Sequence, residues 1–241
     1  MDGESRLDRQ LLKVERHWPT CQWLGVEWYC TDRIMTQTSL PIIPVFDVGN
    51  VLIEWDPRHL YRQLFDETGE MEHFLAHICT QQWNEEHDRG RSFADGVRML
   101  VDRFPEHEAA IRAYDERWHE MVPRQITRSV EILAALRRDG IPNYAITNFS
   151  AEKFPGVQTR FPFLAGFAGI IVSGHEGLLK PDPAIYRLLL ERYNLHAAQC
   201  VFVDDSLKNV EAAQQIGMRV VHFTGPDVLV REFQALGLPV S

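Results

Sequence analysis

Five short runs of apolar, mostly branched residues punctuate the chain, and each ends on or beside a polar group. They are Ile42 to Asp47 (IIPVFD), Asn143 to Thr147 (NYAIT), Gly169 to Ser173 (GIIVS), Cys200 to Asp204 (CVFVD) and Arg219 to Phe223 (RVVHF). Runs of this length and composition read as strands buried on both faces. Helical or connecting stretches separate them, and strand followed by helix followed by strand closes as a parallel sheet covered on both sides. The expected fold class is therefore α/β. Such sheets bind ligands at the carboxyl ends of their strands. Asp47, Thr147, Asp204 and Asp205 all fall at predicted strand ends, which makes one shared site the expectation.

The helix signals have local chemistry. Ser129 to Arg138 is apolar on one face and stops at Asp139-Gly140, where glycine suits a left-handed cap. Asp182 before Pro183 reads as a capping side chain with proline at the first helical position. Ser206 starts another helix that ends near Gly217. Between Trp55 and about Arg124 there is no strand pattern, only the helical stretches Leu60 to Phe65, Met71 to Ile78, Ser92 to Phe104 and Glu106 to Met121. This predicts a helical insertion, with Gly90 at a turn and Ser92 and Asp95 as a variant capping box.

The chain has 241 residues, 45% of them hydrophobic, which is enough for a core without metal or disulfide support. Its four cysteines, Cys21, Cys30, Cys79 and Cys200, form no CxxC and read as reduced thiols, Cys200 as a small core residue. Twenty-five Lys and Arg against 34 Asp and Glu give a net charge of −9, which opposes nucleic acid and anionic membranes as partners. No apolar stretch is long enough to span a bilayer, and the N-terminus lacks the features of a signal peptide, so the expected location is cytoplasmic. Residues 1–40, with Trp18, Trp23, Trp28 and Tyr29, read as a docking arm or as a segment upstream of a start at Met35, the second being preferred. His73 and His77 share a helical face, but no third ligand accompanies them and a structural role is expected.

Four pieces carry the chemistry. Phe46-Asp47-Val48-Gly49-Asn50-Val51 sets an acid on a turn whose glycine lets the backbone approach an anion or metal. Ala145-Ile146-Thr147-Asn148 ends a strand with a hydroxyl and an amide that suit phosphoryl oxygens. Leu179-Lys180-Pro181-Asp182-Pro183 directs a lysine, a compact point charge for phosphate, between prolines. Val203-Asp204-Asp205-Ser206 places two adjacent carboxylates that raise each other's pKa unless a cation neutralises them, and hard oxygen ligands suit Mg²⁺.

The order of these pieces, and their intervals of 100, 33 and 24 residues, resemble the haloacid dehalogenase superfamily of hydrolases. The resemblance runs over residues 42 to 223 and is similar in its first motif to the glucose-1-phosphate phosphatase-like branch. It implies a Rossmann-like core at 41–57 and 125–241, a helical cap of the first type at 58–124, and an N-terminal extension at 1–40. It also implies roles. Asp47 is the nucleophile of an aspartyl-phosphate mechanism; Thr147 and Asn148 hold phosphoryl oxygens; Lys180 neutralises charge; Arg89, in the cap turn Glu85 to Arg91, meets the substrate. Mg²⁺ is placed by Asp47, the Gly49 carbonyl, Asp204 and Asp205, with Asn209 as a further donor. The implied substrate is a small phosphorylated metabolite such as a sugar phosphate, and the implied assembly a monomer or homodimer.

One departure matters. Typical phosphatases of this superfamily carry an acid two residues after the nucleophile, where this chain has Gly49. A substitute is expected from Glu85, Glu86, His87 or Asp88, swinging over the site as the cap closes. The competing readings are a 2-haloacid dehalogenase, which the Asp204-Asp205 pair opposes, and a catalytically weak binding or regulatory protein, which the full set of motif residues opposes. Arg58, Arg89 and Arg91 are further candidates for substrate contact.

Overall fold

In the computed structural model, which describes residues 41–240, the apolar runs form β1 (Ile43–Phe46), β2 (Tyr144–Thr147), β3 (Gly169–Val172), β4 (Cys200–Asp204) and β5 (Arg219–His222). All pairings are parallel and the order is β3-β2-β1-β4-β5. The chain winds outward from β1 through β2 and β3, then returns to the other side of β1 for β4 and β5. That reversal opens a crevice at the carboxyl ends of β1 and β4, where open parallel sheets bind ligands. β1 is central yet contains Pro44, which has no N–H to contribute to a ladder. Pairing with β2 begins only at Val45, opposite Tyr144, so Pro44 is paired on one side alone, against Val201 of β4.

Six helices lie between β1 and β2, and the first five make up the insertion: α1 (Arg58–Tyr61), α2 (Thr68–His77), α3 (Gln81–Asp88), α4 (Phe93–Arg103) and α5 (Glu108–Glu116). The helix expected over Glu106 to Met121 is broken. A 3-10 turn at Pro105–His107 precedes α5, and a second at Trp118–Met121 follows it. Arg117 leaves helical geometry at φ −113° and ψ 20°, and the turn it starts buries both Trp118 and Met121. The helix expected over Leu60 to Phe65 shortens to the single turn of α1.

The remaining helices are α6 (Thr127–Arg138), α7 (Phe154–Arg160), α8 (Ser173–Glu176), α9 (Pro183–Arg192), α10 (Leu207–Gln215) and α11 (Pro226–Ala235). Their boundaries follow the local signals. Gly140 takes a left-handed φ of 71° after α6, and the Asp182 side chain accepts from the Ala184 amide at the start of α9. Ser92 accepts from the Asp95 amide at the start of α4. Ser206 stands before α10 but makes no side-chain capping bond.

Alternation along β1 divides the core. Phe46 packs on one face with α6 and α11, its ring 5.9 Å from Phe233, while Val45 lies on the other face among residues of α9 and α10. A third cluster fills the helical insertion around Tyr61, Phe74, Trp83, Phe93 and Tyr114, and runs on without a break to Phe149 and Phe154 after β2. Cys79 and Cys200 are buried free thiols that burial pushes up to about 12 and about 11. The His73 and His77 rings stack at 4.2 Å, and neither belongs to a metal-binding group among the described residues. The readings of residues 1–40, including Cys21, Cys30 and Met35, lie outside the described residues. No helix among the described residues is long and apolar enough to cross a membrane.

Gly96 shows how tightly the insertion is packed. A Cβ there would lie 2.2 Å from Cε1 of His87, whose ring is stacked on Phe93 at 4.1 Å and held edge-on by Trp83. A ring fixed on two sides cannot swing away, and overpacking of this kind costs about 1–3 kcal/mol. Gly96→Ala should therefore lower the melting temperature by roughly 2–10 °C for a chain of this size. An unchanged melting curve would contradict this packing.

Candidate active site

The site is built on a buried lysine. Lys180 is 3% exposed, and its Nζ lies 2.8 Å from Asp47 Oδ1 and 2.7 Å from Asp204 Oδ2. Asp47 follows β1 and stays tied to the sheet, its amide donating to the Val203 carbonyl at 2.8 Å. Asp204 ends β4. Its Oδ1 accepts from the Ser206 amide at 2.8 Å, and Asn209 Nδ2 donates to both of its oxygens at 3.0 and 3.1 Å. Burial opposes the Lys180 charge, but Asp204 and Asp47 beside it hold the ammonium above its ordinary value.

Lys180 is aimed by Asn148. The Asn148 side chain accepts from the Lys180 amide at 2.8 Å and donates to the Lys180 carbonyl at 3.0 Å, a two-point clamp across 32 residues of sequence. Asn148 was expected as a phosphate donor; it also lines the cavity, but its described bonds hold the lysine backbone. Thr147 is buried at the end of β2, in the strand next to β1.

Asp47 Oδ1 takes both Lys180 and the amide of Val48, the latter at 2.7 Å. Burial pushes the Asp47 carboxyl up to about 7, with Lys180 pulling against the shift and Asp204 and Asp205 adding to it. One carboxylate oxygen from each of Asp47, Asp204 and Asp205 falls within 4.8 Å of the others. Burial and the Asp204 charge also raise Asp205. Three carboxylates against one ammonium leave the cluster short of positive charge. An all-oxygen donor set of this kind fits a hard divalent cation. Gly49 lines the same cavity. The left-handed residue of the turn is Asn50, with φ 55°, rather than Gly49, and a side chain at Gly49 would meet nothing within 4 Å.

The cavity over these groups, about 260 Å³, is closed from the insertion by α3. Gln81, Asn84, Glu85 and Asp88 all line it, spaced as one face of a helix. Of the three acids and one histidine expected to replace the missing group, Asp88 fits. It lines the cavity, accepts from Asn84 Nδ2 at 3.0 Å, and burial followed by the nearby Glu85 charge pushes it up to about 7. Glu85 lines the cavity but accepts from Gln81, and Glu86 pairs with Arg89. His87 is buried in the insertion core, which pushes it down to about 4 and keeps it neutral.

Asp88 lines the cavity in this conformation, and Ser173, directly after β3, donates from Oγ to the Asp88 carbonyl at 2.5 Å and accepts from the Phe149 amide at 2.8 Å. α3 is thereby fastened to the strand ends. Arg89 does not line the cavity: it is half exposed and pairs with Glu86 at 3.8 Å. One residue beyond Asp88 on a helix is a rotation of about 100°, which carries it off the cavity face. Arg58 and Arg91 are likewise committed, to Glu72 and to the Trp83 carbonyl. Gln81 and Asn84 of the α3 stripe and the aromatic walls Trp55, Trp118 and Phe149 were not anticipated. The spacing 81, 84, 85, 88 was the available signal for the stripe.

The clamp on Lys180 makes a prediction separate from substrate contact. Asn148→Ala leaves a buried backbone amide and carbonyl without their partner and should destabilise the protein by about 1–3 kcal/mol in denaturant unfolding. Unchanged stability with impaired substrate binding would assign Asn148 to the ligand alone.

Over 180 residues the chain is 29% identical to the sesquiterpene phosphatase astK of Aspergillus oryzae, covering 75% of this chain and 88% of that one. A phosphoglycolate phosphatase of Photobacterium profundum is 28% identical over 152 residues, or 58% of this chain and 62% of that one. Among solved structures, a haloacid dehalogenase family enzyme of Bacteroides thetaiotaomicron in complex with magnesium and inorganic phosphate superposes with a TM-score of 0.58 at 21% identity, over 75% and 92% of the two chains, a likeness of fold. The family model of the haloacid dehalogenase-like hydrolases matches residues 45–217, and the chain belongs to that family.

Proposed function

We propose that the protein is a Mg²⁺-dependent phosphomonoester hydrolase that works through an aspartyl-phosphate at Asp47. The observation that carries this reading is the buried Lys180 bridging Asp47 and Asp204, with Asp205 completing a carboxylate cluster that needs a cation. A metal-free displacement of halide from a carboxylate substrate would gain nothing from that extra negative charge. The phosphatase names of the two relatives point the same way.

The chain's own groups supply the steps. With Oδ1 held by Lys180 and Val48, Oδ2 of Asp47 attacks phosphorus and the bond from phosphorus to the ester oxygen breaks. Lys180 offsets the charge gathering on the phosphoryl group, and the Thr147 hydroxyl and β2 end position its oxygens. Asp88, in its acid form, gives its proton to the departing alkoxide. It then accepts a proton from the water that attacks the aspartyl-phosphate, which releases inorganic phosphate and restores Asp47. Residues 58–124 serve as the cap that keeps bulk water from this exchange. The carboxylates of Asp47, Asp204 and Asp205, with the Gly49 carbonyl, would hold Mg²⁺. When bound, the ion supplies positive charge beside the phosphoryl oxygens and favours the carboxylate form of Asp47.

The test is phosphate release from alkyl and aryl monoesters with Mg²⁺. Asp47→Asn should lose about 10⁴-fold or more in turnover. Asp88→Asn should lose about 10²–10⁴-fold on alkyl esters, whose leaving oxygen needs a proton, and much less on p-nitrophenyl phosphate, whose leaving oxygen does not. With Asp88 titrating at about 7, wild-type turnover of alkyl esters falls as pH rises past that value because the proton donor is lost, and the variant lacks this limb. Gly49→Asp places a carboxylate in open space beside the nucleophile and should restore part of the Asp88→Asn loss. Equal loss on both ester types, without rescue, would remove Asp88 from proton transfer. Full activity in Asp47→Asn would remove the nucleophile.

A further inference from the structure

A second cavity, of about 480 Å³, adjoins the catalytic one and shares Asn50, Trp55 and Gln81 with it. It lies between the loop after β1 and helices α2 and α3. Its size is in the range of about 300–1,000 Å³ that takes small molecules.

The charges of the lining argue against a second anion. Arg58 is the cation here, and it is paired with both carboxylates of the lining: Nε and Nη2 bind Glu72 at 2.6 and 2.7 Å, and Nη1 reaches Asp56 at 3.3 Å. One cation and two carboxylates leave the chamber's lining negative. A substrate with a carboxylate or a second phosphate would meet repulsion and no spare guanidinium.

The neutral polar groups already make bonds within the protein, with which a polyhydroxylated body would compete. Asn50 Oδ1 accepts from the Trp55 amide, Thr80 Oγ1 from the Trp83 amide, Gln81 Nε2 donates to Glu85, and the Tyr114 hydroxyl donates to Asn84. The remaining walls are apolar: Trp55, Pro57, Leu75, Ala76 and Cys79. Tyr114 also ties the chamber to the acid, since Asn84, which accepts from it, donates to Asp88.

We infer that the chamber receives the alcohol portion of the substrate, and that this portion is neutral and largely apolar, as in the monophosphate of a medium-length or cyclic hydrocarbon alcohol. The inference rests on the phosphatase reading above. It is tested by kcat/KM with Mg²⁺ for three alkyl monoesters: citronellyl phosphate, glucose 6-phosphate and phosphoglycolate. Citronellyl phosphate should exceed both others by about tenfold or more. Ala76→Arg, at an exposed position of α2 that faces the chamber, should lower the ratio of citronellyl phosphate to phosphoglycolate by about tenfold, a readout independent of how much enzyme is folded. Equal or greater kcat/KM for glucose 6-phosphate or phosphoglycolate, or an unmoved ratio in Ala76→Arg, would overturn the inference. No phosphate release from any of the three, or from p-nitrophenyl phosphate, would contradict the phosphatase reading instead.

Discussion

An ammonium buried between two carboxylates is the interaction on which the rest of this structure depends. Taking three charges out of water costs several kcal/mol per ion, and the attraction among them offsets this only when geometry is close and the remaining hydrogen bonds are made. Here they are. Lys180 meets Asp47 and Asp204, Asp204 is held by Ser206 and Asn209, Asp47 by Val48, and the Lys180 backbone by Asn148. These groups come from the ends of β1, β2 and β4 and from the loop before α9. The reversal of strand order around β1 is what brings them together, so fold and site are a single solution to one electrostatic problem.

The same arrangement explains a mismatch of charge. A chain at −9 is poorly suited to attract an anion, and the cluster of three aspartates adds to the repulsion locally. Binding a phosphate dianion there requires a concentrated positive charge. Lys180 supplies part of it from a position where low dielectric makes it effective, and on the proposed reading a divalent cation held by the three carboxylates would supply the remainder. The adjoining chamber, with Arg58 locked to Glu72, adds no attraction for a second anionic group.

Much of this was legible in the sequence because strand ends have a strong signature. Branched apolar runs stopping at Asp47, Thr147 and Asp204 gave the sheet and the site together, and the intervals to Lys180 identified the family. The insertion was less legible. Helical periodicity over Glu106 to Met121 said nothing of the break at Arg117, which is made by the burial of Trp118 and Met121 against other elements. Asp88 stood among four neighbouring candidates whose sequence gives no depth. Only packing separates a cavity-facing Asp88 from a core His87 and an exposed Glu86 to Arg89 pair. The clamp that Asn148 places on the Lys180 backbone was illegible for a related reason, since an amide after a strand does not reveal which backbone groups it meets. The fastening of α3 through Ser173 is a contact across 85 residues and has no local signal.

Acid quenching of the enzyme during turnover of a ³²P-labelled monoester, followed by peptide mapping, examines the chemistry of this site itself. The account predicts Mg²⁺-dependent label, released by hydroxylamine, on the peptide containing Asp47. Sustained phosphate release with no covalent label at any quench time, or with label on a peptide lacking Asp47, would contradict it.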